Sequence, residues 1–256
     1  LSPFDRGLAF GDGVFRTFLV KDGNPINWKN QYQKLSMDLK AIDIKSPSKK
    51  TLLTEIQKLF PAKGIFISKI IVTRGESQTG YDFNEGIKPT RILLKIDFNT
   101  NKYEFFKKGV QLTASNIRAT KSANSGIKDL NRLENVLARK SISRNFFDAI
   151  MVDSNGNICD CARSSLFIRF GSRLYTASNT SFGIHGVTKK IICKNEKKLN
   201  LTIDHSPLTL NQLEKADEVI VSNSIFGALQ VVRFKNTKWE KGNLANSITN
   251  LLNESN

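Results

Sequence analysis

The sequence has few of the residues on which disulfide-stabilised and zinc-binding proteins depend. It contains three cysteines and two histidines in 256 residues. An odd number of cysteines does not form a closed disulfide framework. Cys159 and Cys161 are spaced as C-x-C, Cys193 stands alone, and two histidines supply too few well-spaced ligands for a zinc site. We therefore expect small buried thiols, no bound metal and a cytoplasmic location, where thiols stay reduced.

Long apolar runs are also absent. No stretch approaches the roughly 20 apolar residues that a membrane-spanning helix requires, so we expect no membrane partner. The chain opens without a signal-peptide pattern. Because it begins at Leu1 and not at a methionine, we expect that a natural N-terminal segment precedes Leu1.

Basic residues outnumber acidic residues by 39 to 23, which gives a formal net charge of +16. Such an excess is typical of nucleic-acid-binding proteins. The lysines, however, are spread along the whole chain, and no zinc-finger or aromatic RNA-binding motif accompanies them. We therefore expect no nucleic-acid partner. The charge is interpreted as a compositional bias that also attracts small anionic substrates.

The order of predicted elements indicates an α+β chain in two halves. A chain of this length can bury the core of one or two domains. Apolar residues at helical spacing predict helices over 27–42, 46–60, 187–199 and 243–252. Runs rich in β-branched and aromatic residues predict strands at 15–20, 64–74, 90–98, 110–117, 149–153, 165–170, 174–177, 218–222 and 228–234. We predict an N-terminal domain over residues 1–117 and a C-terminal domain over residues 124–256.

One lysine lies in a setting that a surface lysine does not need. Lys128 follows a run of Ser, Asn and Gly residues over 122–126. The helix predicted behind it has an apolar stripe formed by Leu130, Leu133, Val136 and Leu137. A lysine that reaches a fixed point inside a cleft needs apolar surface along its carbon stem. From spacing alone, one more solvated lysine is the simpler interpretation.

Four other stretches could take part in chemistry, although each also has a plain structural interpretation. Three glycines within residues 5–15 permit either a tight turn or a close backbone approach. Asp160, with a cysteine on each side, is either a buried, paired carboxylate or a turn residue. The helix start over residues 183–190 could bind phosphate, and Ser224 at a strand end could contact a ligand. The first of these two could equally be an ordinary helix start, and the second an ordinary turn.

Taken in order, these stretches resemble the class IV aminotransferases, also called fold-type IV pyridoxal-phosphate enzymes. The resemblance covers nearly the whole chain. It is carried by DRGLAFGDGVF (5–15), GIKDLNRLENVLAR (126–139), DCARSSLF (160–167), HGVTKK (185–190) and DEVIVSNS (217–224). It implies an N-terminal α/β sandwich, a C-terminal pseudo-barrel, pyridoxal 5'-phosphate as cofactor and a homodimer. It also implies that the opening strands of the family precede Leu1.

The resemblance assigns roles to individual residues. The family lysine that corresponds to Lys128 binds the cofactor covalently and moves protons at the reacting carbon. Asp160 corresponds to the carboxylate that pairs with the pyridinium nitrogen, so that the ring acts as an electron sink. The residues implied for the cofactor phosphate are Lys34, Gly186, Val187, Thr188 and Ser224.

Two positions depart from the family pattern. Asp160 replaces the usual glutamate and is shorter by one methylene, which is about 1.5 Å of reach. Lys34 replaces the usual arginine, and an ammonium offers a point charge in place of a two-pronged fork. These departures leave a non-catalytic binding protein on the same scaffold as an alternative.

Within the family, the segment around Lys128 is most similar to lyases that convert 4-amino-4-deoxychorismate into 4-aminobenzoate and pyruvate for folate synthesis. Leu133 stands where branched-chain aminotransferases have tyrosine, and Arg132 stands where D-amino-acid aminotransferases tend to have leucine. We expect the lyase reaction, with either aminotransferase as the alternative. The lyase substrate is a dicarboxylate. Arg74 and Arg16 are candidates to bind it, although either could be a structural arginine.

Overall fold

The fold is that of a computed structural model, which describes residues 1–98, 103–178 and 182–254. These residues form two compact units that each combine a sheet with helices, so the α+β prediction is confirmed. The first unit comprises Leu1–Phe98 and Ile127–Asn131. The second comprises residues 103–126 and 132–254.

A four-stranded antiparallel sheet organises the first unit. Its elements are α1 (Arg6–Phe10), β1 (Gly13–Lys21), β2 (Asn24–Pro25), α2 (Trp28–Ala41), α3 (Lys49–Leu59), β3 (Ile65–Thr73) and β4 (Thr90–Asp97). The strands are ordered β2-β1-β3-β4, and β1 pairs with β3 along its full length. The sheet therefore gives β1 a fixed register against its neighbour.

Successive side chains along β1 point to opposite faces of the sheet, and one of these faces packs against α2. Val14 and Phe18 are buried in one core with Leu35 and Leu39 of α2. Burying such a side chain stabilises the fold by about 1.5–3 kcal/mol relative to leaving it exposed. Phe15 lies between Val14 and Arg16 in sequence, and successive strand side chains point to opposite faces. Phe15 is therefore directed to the face away from this core.

The second unit contains a nine-stranded mixed sheet. Its strands are β5 (Val110–Ala114), β6 (Asp148–Val152), β7 (Ile158–Cys161), β8 (Ser165–Phe170), β9 (Arg173–Tyr175), β10 (Thr202–Asp204), β11 (Glu218–Asn223), β12 (Gly227–Phe234) and β13 (Thr237–Lys238). Its helices are α4 (Tyr103–Lys108), α5 (Leu133–Lys140), α6 (Val187–Lys194), α7 (Leu210–Leu213) and α8 (Leu244–Glu254), with a 3-10 helix at Glu196–Leu199. The order is β10-β9-β8-β11-β12-β5-β6-β7, with β13 beside β12.

Both faces of this sheet are covered, which explains its continuous apolar runs. Leu166 and Phe167 are neighbours on β8, yet they are buried in two different core clusters. The cluster around Phe167 also contains Ile191 of α6 and Ile248 of α8. Strand β8 has the bounds predicted from the sequence.

The first difference from the predicted domain boundary concerns Val110–Ala114. The sequence predicts this strand in the N-terminal domain, but it lies in the second unit. The reason is its backbone pairing, because it runs parallel to both Gly227–Phe234 and Asp148–Val152. Partners so distant in sequence leave no mark on the local pattern.

The second difference concerns the segment that carries Lys128. Ile127–Asn131 was assigned to the C-terminal domain, but its contacts place it in the first unit. The Phe15 N–H donates to the Lys128 carbonyl oxygen at 2.9 Å, and the Leu130 N–H donates to the Gly13 carbonyl oxygen at 3.0 Å. Lys128 therefore belongs to a backbone ladder with β1.

The helix behind Lys128 also differs from its prediction. It begins at Leu133, and its apolar stripe points outward: Leu133, Val136 and Leu137 are 68%, 58% and 40% exposed. Only Ala138 of this helix is buried. Periodicity identified a helix correctly, but it could not tell which side is packed. In the described part of the chain, no helix has the length and apolar character needed to cross a bilayer.

Candidate active site

The predicted site residues form two groups, one in each unit. The first unit contains Arg16, Lys34, Arg74 and Lys128. The second unit contains Asp160, Gly186, Val187, Thr188 and Ser224.

Lys128 is half-buried and held by its backbone. Its carbonyl oxygen and the N–H of Leu130 both bond to the start of β1. The Lys128 Nζ lies 4.3 Å from the centroid of the Phe15 ring, which is a cation–π distance. The Lys128 ammonium therefore lies over an aromatic face, which gives the side chain a preferred direction.

A carboxylate that the sequence analysis did not single out lies beside Lys128. Asp38 on α2 is 2% exposed. It accepts hydrogen bonds from the Lys34 ammonium and, at 3.3 Å, from the Lys128 N–H. The Nη1 atom of Arg16 lies 3.8 Å from the same carboxylate. The signal was present: Asp38 lies four residues after Lys34, and side chains at this spacing meet on a helix.

Arg16 is a buried guanidinium with incomplete hydrogen bonding. Its Nη2 donates to Gln31 Oε1 at 3.3 Å. Its Nε finds no acceptor among the residues that the structure describes. Burial lowers the pKa of Arg16 to about 10, and the nearby Asp38 carboxylate opposes this shift. A buried, under-satisfied cation is costly unless an anion compensates it.

Arg74 is largely engaged within its own unit. It binds Asp12 through two nitrogens, at 2.7 and 3.1 Å, and donates to the carbonyl oxygens of Ile42 and Asp43 at 2.7 and 3.1 Å. Its guanidinium stacks on the Phe83 ring, 4.0 Å from the centroid. These contacts give Arg74 a clear structural role. Its part in substrate binding stays a prediction.

In the second unit, Asp160 is a buried, paired carboxylate and not a solvated turn residue. It is 8% exposed on β7. Its Oδ1 accepts the Leu166 N–H at 2.9 Å, and Lys189 Nζ lies 3.1 Å from its Oδ2. Lys189 also donates to the Ala177 carbonyl oxygen at 2.9 Å. The sequence showed Lys189 only as part of a helix start, without its partner.

The helix predicted to start within residues 183–190 is present in the structure. Helix α6 begins at Val187 with Gly186 as N-cap, and Gly186 supplies no side-chain cap. Val187 and Thr188 are buried. The N–H groups of a helix's first turn and its dipole favour an anion. This arrangement suits a phosphate.

A glycine fixes the loop that precedes this helix. Gly126 exchanges backbone hydrogen bonds with Gly183 and His185, each at 3.0 Å. Its φ is 84°, and a Cβ there would overlap the imidazole ring of His185. Only glycine meets both conditions without strain.

Ser224 lies half-buried in the turn after β11. Asn223 orders this turn, because its Oδ1 accepts the N–H groups of Ile225 at 2.9 Å and Phe226 at 3.1 Å. Nearby Ser222 is 1% exposed, and its Oγ has no partner among the described residues. The turn interpretation is therefore confirmed, while the phosphate contact of Ser224 stays a prediction.

A sequence model of the family described as Amino-transferase class IV matches residues 13–234. The chain belongs to the class IV aminotransferase family. Its relatives in that family include the aminodeoxychorismate lyase of Bacillus subtilis, 28% identical over 249 residues, which cover 95% of this chain and 83% of the lyase. The D-alanine aminotransferase of Listeria innocua is 26% identical over 227 residues, covering 86% and 77%.

A solved class IV structure agrees with this assignment. The 4-amino-4-deoxychorismate lyase of Pseudomonas aeruginosa superimposes with a TM-score of 0.91 at 28% identity, over 99% of this chain and 94% of that one. The class IV fold predicted from the sequence is thus confirmed. Because the family is pyridoxal-phosphate-dependent, the predicted cofactor and enzyme class are confirmed as well.

The residues of this class IV enzyme fit the cofactor. In the second unit, the start of α6, with no side-chain cap and with Thr188 buried, suits a phosphate group. The buried Asp160 carboxylate suits a protonated ring nitrogen. Lys128 supplies a half-buried primary amine. Asp160 and Lys34, the two departures from the family pattern, both keep the charge that the cofactor requires.

The cysteines of the enzyme serve packing. Burial raises the pKa of Cys159 to about 12, and the carboxylates of Asp153 and Asp160 add to the shift. Burial likewise raises the pKa of Cys161. Since the thiolate is the nucleophile and metal ligand, these residues act as buried thiols at neutral pH. Within the described ranges, no group of three His, Cys, Asp or Glu side chains is placed to hold a metal ion.

Proposed function

We propose that this enzyme is a 4-amino-4-deoxychorismate lyase that releases 4-aminobenzoate and pyruvate in folate synthesis. The observation that carries the proposal is the segment behind Lys128, where Arg132 and Leu133 agree with the lyases against the two aminotransferase types. The likeness to lyases from two bacteria supports it.

The proposed chemistry uses Lys128 as the proton-transfer residue. Bound pyridoxal phosphate supplies an electron sink for the carbon that carries the substrate amine. The amine of Lys128 removes a proton from the substrate ring, and pyruvate then leaves. Formation of the aromatic ring makes this step favourable, and no second substrate is needed because the two products contain all atoms of the starting compound.

The other predicted residues hold the cofactor in this proposal. Asp160 would pair with the ring nitrogen, and Lys189 holds the Asp160 carboxylate in place. The residues that would bind the phosphate, as the family resemblance implies, are Lys34, Gly186, Val187, Thr188 and Ser224. Arg16, with its unsatisfied Nε, is better suited than Arg74 to attract a further anionic group.

We also propose that the enzyme is a homodimer, as the family resemblance implies. Exposed apolar patches commonly mark protein interfaces. On α5, Leu133, Val136 and Leu137 form such a patch. The cytoplasmic location stays a prediction.

The reaction is tested by supplying two substrates separately to the purified protein with pyridoxal phosphate. Release of 4-aminobenzoate and pyruvate from 4-amino-4-deoxychorismate supports the lyase. Formation of D-glutamate from D-alanine and 2-oxoglutarate supports the aminotransferase, the alternative favoured by the likeness to the Listeria enzyme. A protein that gains no absorbance band with the cofactor supports the non-catalytic alternative.

A further inference from the structure

Asp38 is a buried carboxylate on which three parts of the first unit converge. Helix α2 contributes the Lys34 ammonium, β1 contributes Arg16, and the 127–131 segment contributes the Lys128 N–H. A buried carboxylate is tolerated only where cations and hydrogen-bond donors compensate it. These partners therefore fix the position of the Asp38 carboxylate, and the carboxylate restrains the positions of its partners.

The helix that carries Asp38 is rigidly seated. Leu35 and Leu39, on either side of Asp38 in sequence, are fully buried in the core with β1. Two turns before Asp38, Gln31 accepts a hydrogen bond from Arg16. This face of α2 thus presents a polar group at each turn toward β1 and the Lys128 segment. On this face, Asp38 accepts a hydrogen bond from the Lys128 N–H at 3.3 Å.

We propose that Asp38 is a positioning residue, which links the Lys34 ammonium to the backbone of Lys128 through one buried carboxylate. The proposal rests on the proposed function, in which Lys34 holds the cofactor phosphate and Lys128 holds the cofactor itself. Asp38 holds the Lys34 ammonium and the backbone that carries Lys128, so that the phosphate-binding lysine and the proton-transfer lysine keep one spacing.

The charge balance of the cluster is consistent with this role. Lys34 and Arg16 bring two positive charges to one carboxylate. Arg16 also has an Nε without an acceptor among the described residues. Among these three side chains two positive charges face one negative charge, a balance that favours a further anion such as phosphate.

The linkage is tested in the cofactor-free protein by hydrogen exchange of the Lys128 amide. Asp38→Asn removes the charged acceptor of that N–H, and we expect the exchange to become about tenfold faster. Amides of the β1–β3 ladder, such as that of Ile70, are expected to keep their rates. Glu55→Gln, which breaks the more exposed pair with Arg91 in the same unit, is the matched control and is expected to change neither rate.

If Asp38→Asn is not folded, which a lack of cooperative unfolding would show, a second variant still tests the linkage. Lys34→Gln leaves Asp38 in place but removes its ammonium partner. If Asp38 transmits the anchoring of Lys34, the Lys128 amide exchanges several-fold faster in Lys34→Gln as well. Unchanged exchange at Lys128 in a folded variant would overturn the linkage.

Cofactor titration then connects the linkage to binding. We expect Asp38→Asn to bind pyridoxal phosphate about tenfold more weakly by absorbance, with Glu55→Gln equal to wild type. An equal affinity for Asp38→Asn and wild type would contradict the positioning role. If wild type itself binds no pyridoxal phosphate, the proposed function fails, while the exchange measurement still decides whether Asp38 holds Lys128.

Discussion

Lys189 Nζ lies 3.1 Å from Asp160 Oδ2 and 3.4 Å from Oδ1, and both side chains are almost completely buried. A carboxylate in this position needs a cation, because an unpaired buried charge is unfavourable by several kcal/mol. The first turn of α6 thus provides both the helix N-terminus that suits a phosphate and Lys189, the counter-ion of Asp160. Asp160, which stands where the family usually has glutamate, thus has a buried ammonium as its partner.

We expect Lys189→Met to lower the free energy of unfolding by about 3–5 kcal/mol, because it leaves Asp160 buried without its cation. The measurement is urea unfolding at neutral pH. Lys198→Met is the control, since its pair with Glu254 is more than half exposed and such pairs contribute about 1 kcal/mol or less. Equal losses for the two variants would show that the Asp160 pair is not structurally important.

Lys128→Ala tests the role of the amine directly. We expect turnover to fall at least about 100-fold, since a positioned acid–base group contributes that much or more. Borohydride treatment of the cofactor-loaded protein is expected to attach the cofactor to Lys128 in wild type only. Lys121→Ala, on an exposed residue before the same segment, serves as control and should behave as wild type. Full turnover in Lys128→Ala would contradict the assignment of Lys128 as the proton-transfer residue.

Gly126→Ala and Gly156→Ala form a matched pair. Both glycines have a φ near 84°, at 84° and 83°, so alanine at either is strained by about 1–2 kcal/mol. A Cβ at Gly156 meets open space, whereas at Gly126 it overlaps His185. We expect Gly126→Ala to be less stable than Gly156→Ala by about 1–3 kcal/mol in thermal or urea unfolding. Equal stabilities would mean that the His185 loop moves freely.

The buried carboxyl group of Asp148 is expected to make the free energy of unfolding depend on pH, in a direction that follows from its pKa. Burial raises the pKa of Asp148 above its ordinary value of 3.8, although hydrogen bonds from Ser164 and Ala149 oppose this. The folded protein therefore holds this proton more tightly than the unfolded chain, and the contribution of Asp148 to stability declines as pH rises from 3.8 through the raised pKa.

Asp148→Asn removes this titration. We expect the stability of Asp148→Asn relative to wild type to increase between about pH 4 and pH 7. The measurement is the free energy of unfolding of both proteins across that range. A difference that does not change with pH would contradict the raised pKa.

The apolar side of α5 tests the homodimer. Val136→Glu places a charge in this patch, and we expect light scattering to show half the molar mass of wild type. In a monomer the same exposed change would alter stability by only about 0.5 kcal/mol. Lys140→Glu, exposed at the end of the same helix, is the control and should leave the mass unchanged. An unchanged mass in Val136→Glu would place any interface elsewhere.

Features that depend on local sequence were predictable. Strand β8 and the start of α6 at Val187 agree with their predictions, because apolar runs and a glycine-led helix start are local signals. The family resemblance supplied Lys128 and Asp160 as candidates. Their physical settings were harder to predict, since Lys189 is distant from Asp160 in sequence and only folding brings them together.

Features that depend on distant pairing were not predictable. The ladder between 127–131 and the start of β1 joins residues more than a hundred positions apart, and nothing near Lys128 encodes it. The apolar stripe on α5 has the spacing of a buried helix face, yet it points outward. Periodicity alone does not tell whether such a face packs against the core of its own chain or against another apolar partner. Asp38 was overlooked because it is a single charge within a charged helix.

The ladder between β1 and the Lys128 segment has a consequence for how the gene can be divided. A fragment that ends at Phe98 retains Asp38, Lys34 and Arg16 but lacks the N–H that Asp38 accepts. A fragment that begins after Phe98 retains Lys128 but has no Phe15 beside it and no β1 to pair with. Neither half alone can present the lysine correctly, so only the continuous chain or two co-expressed, reassociating halves can yield an active enzyme.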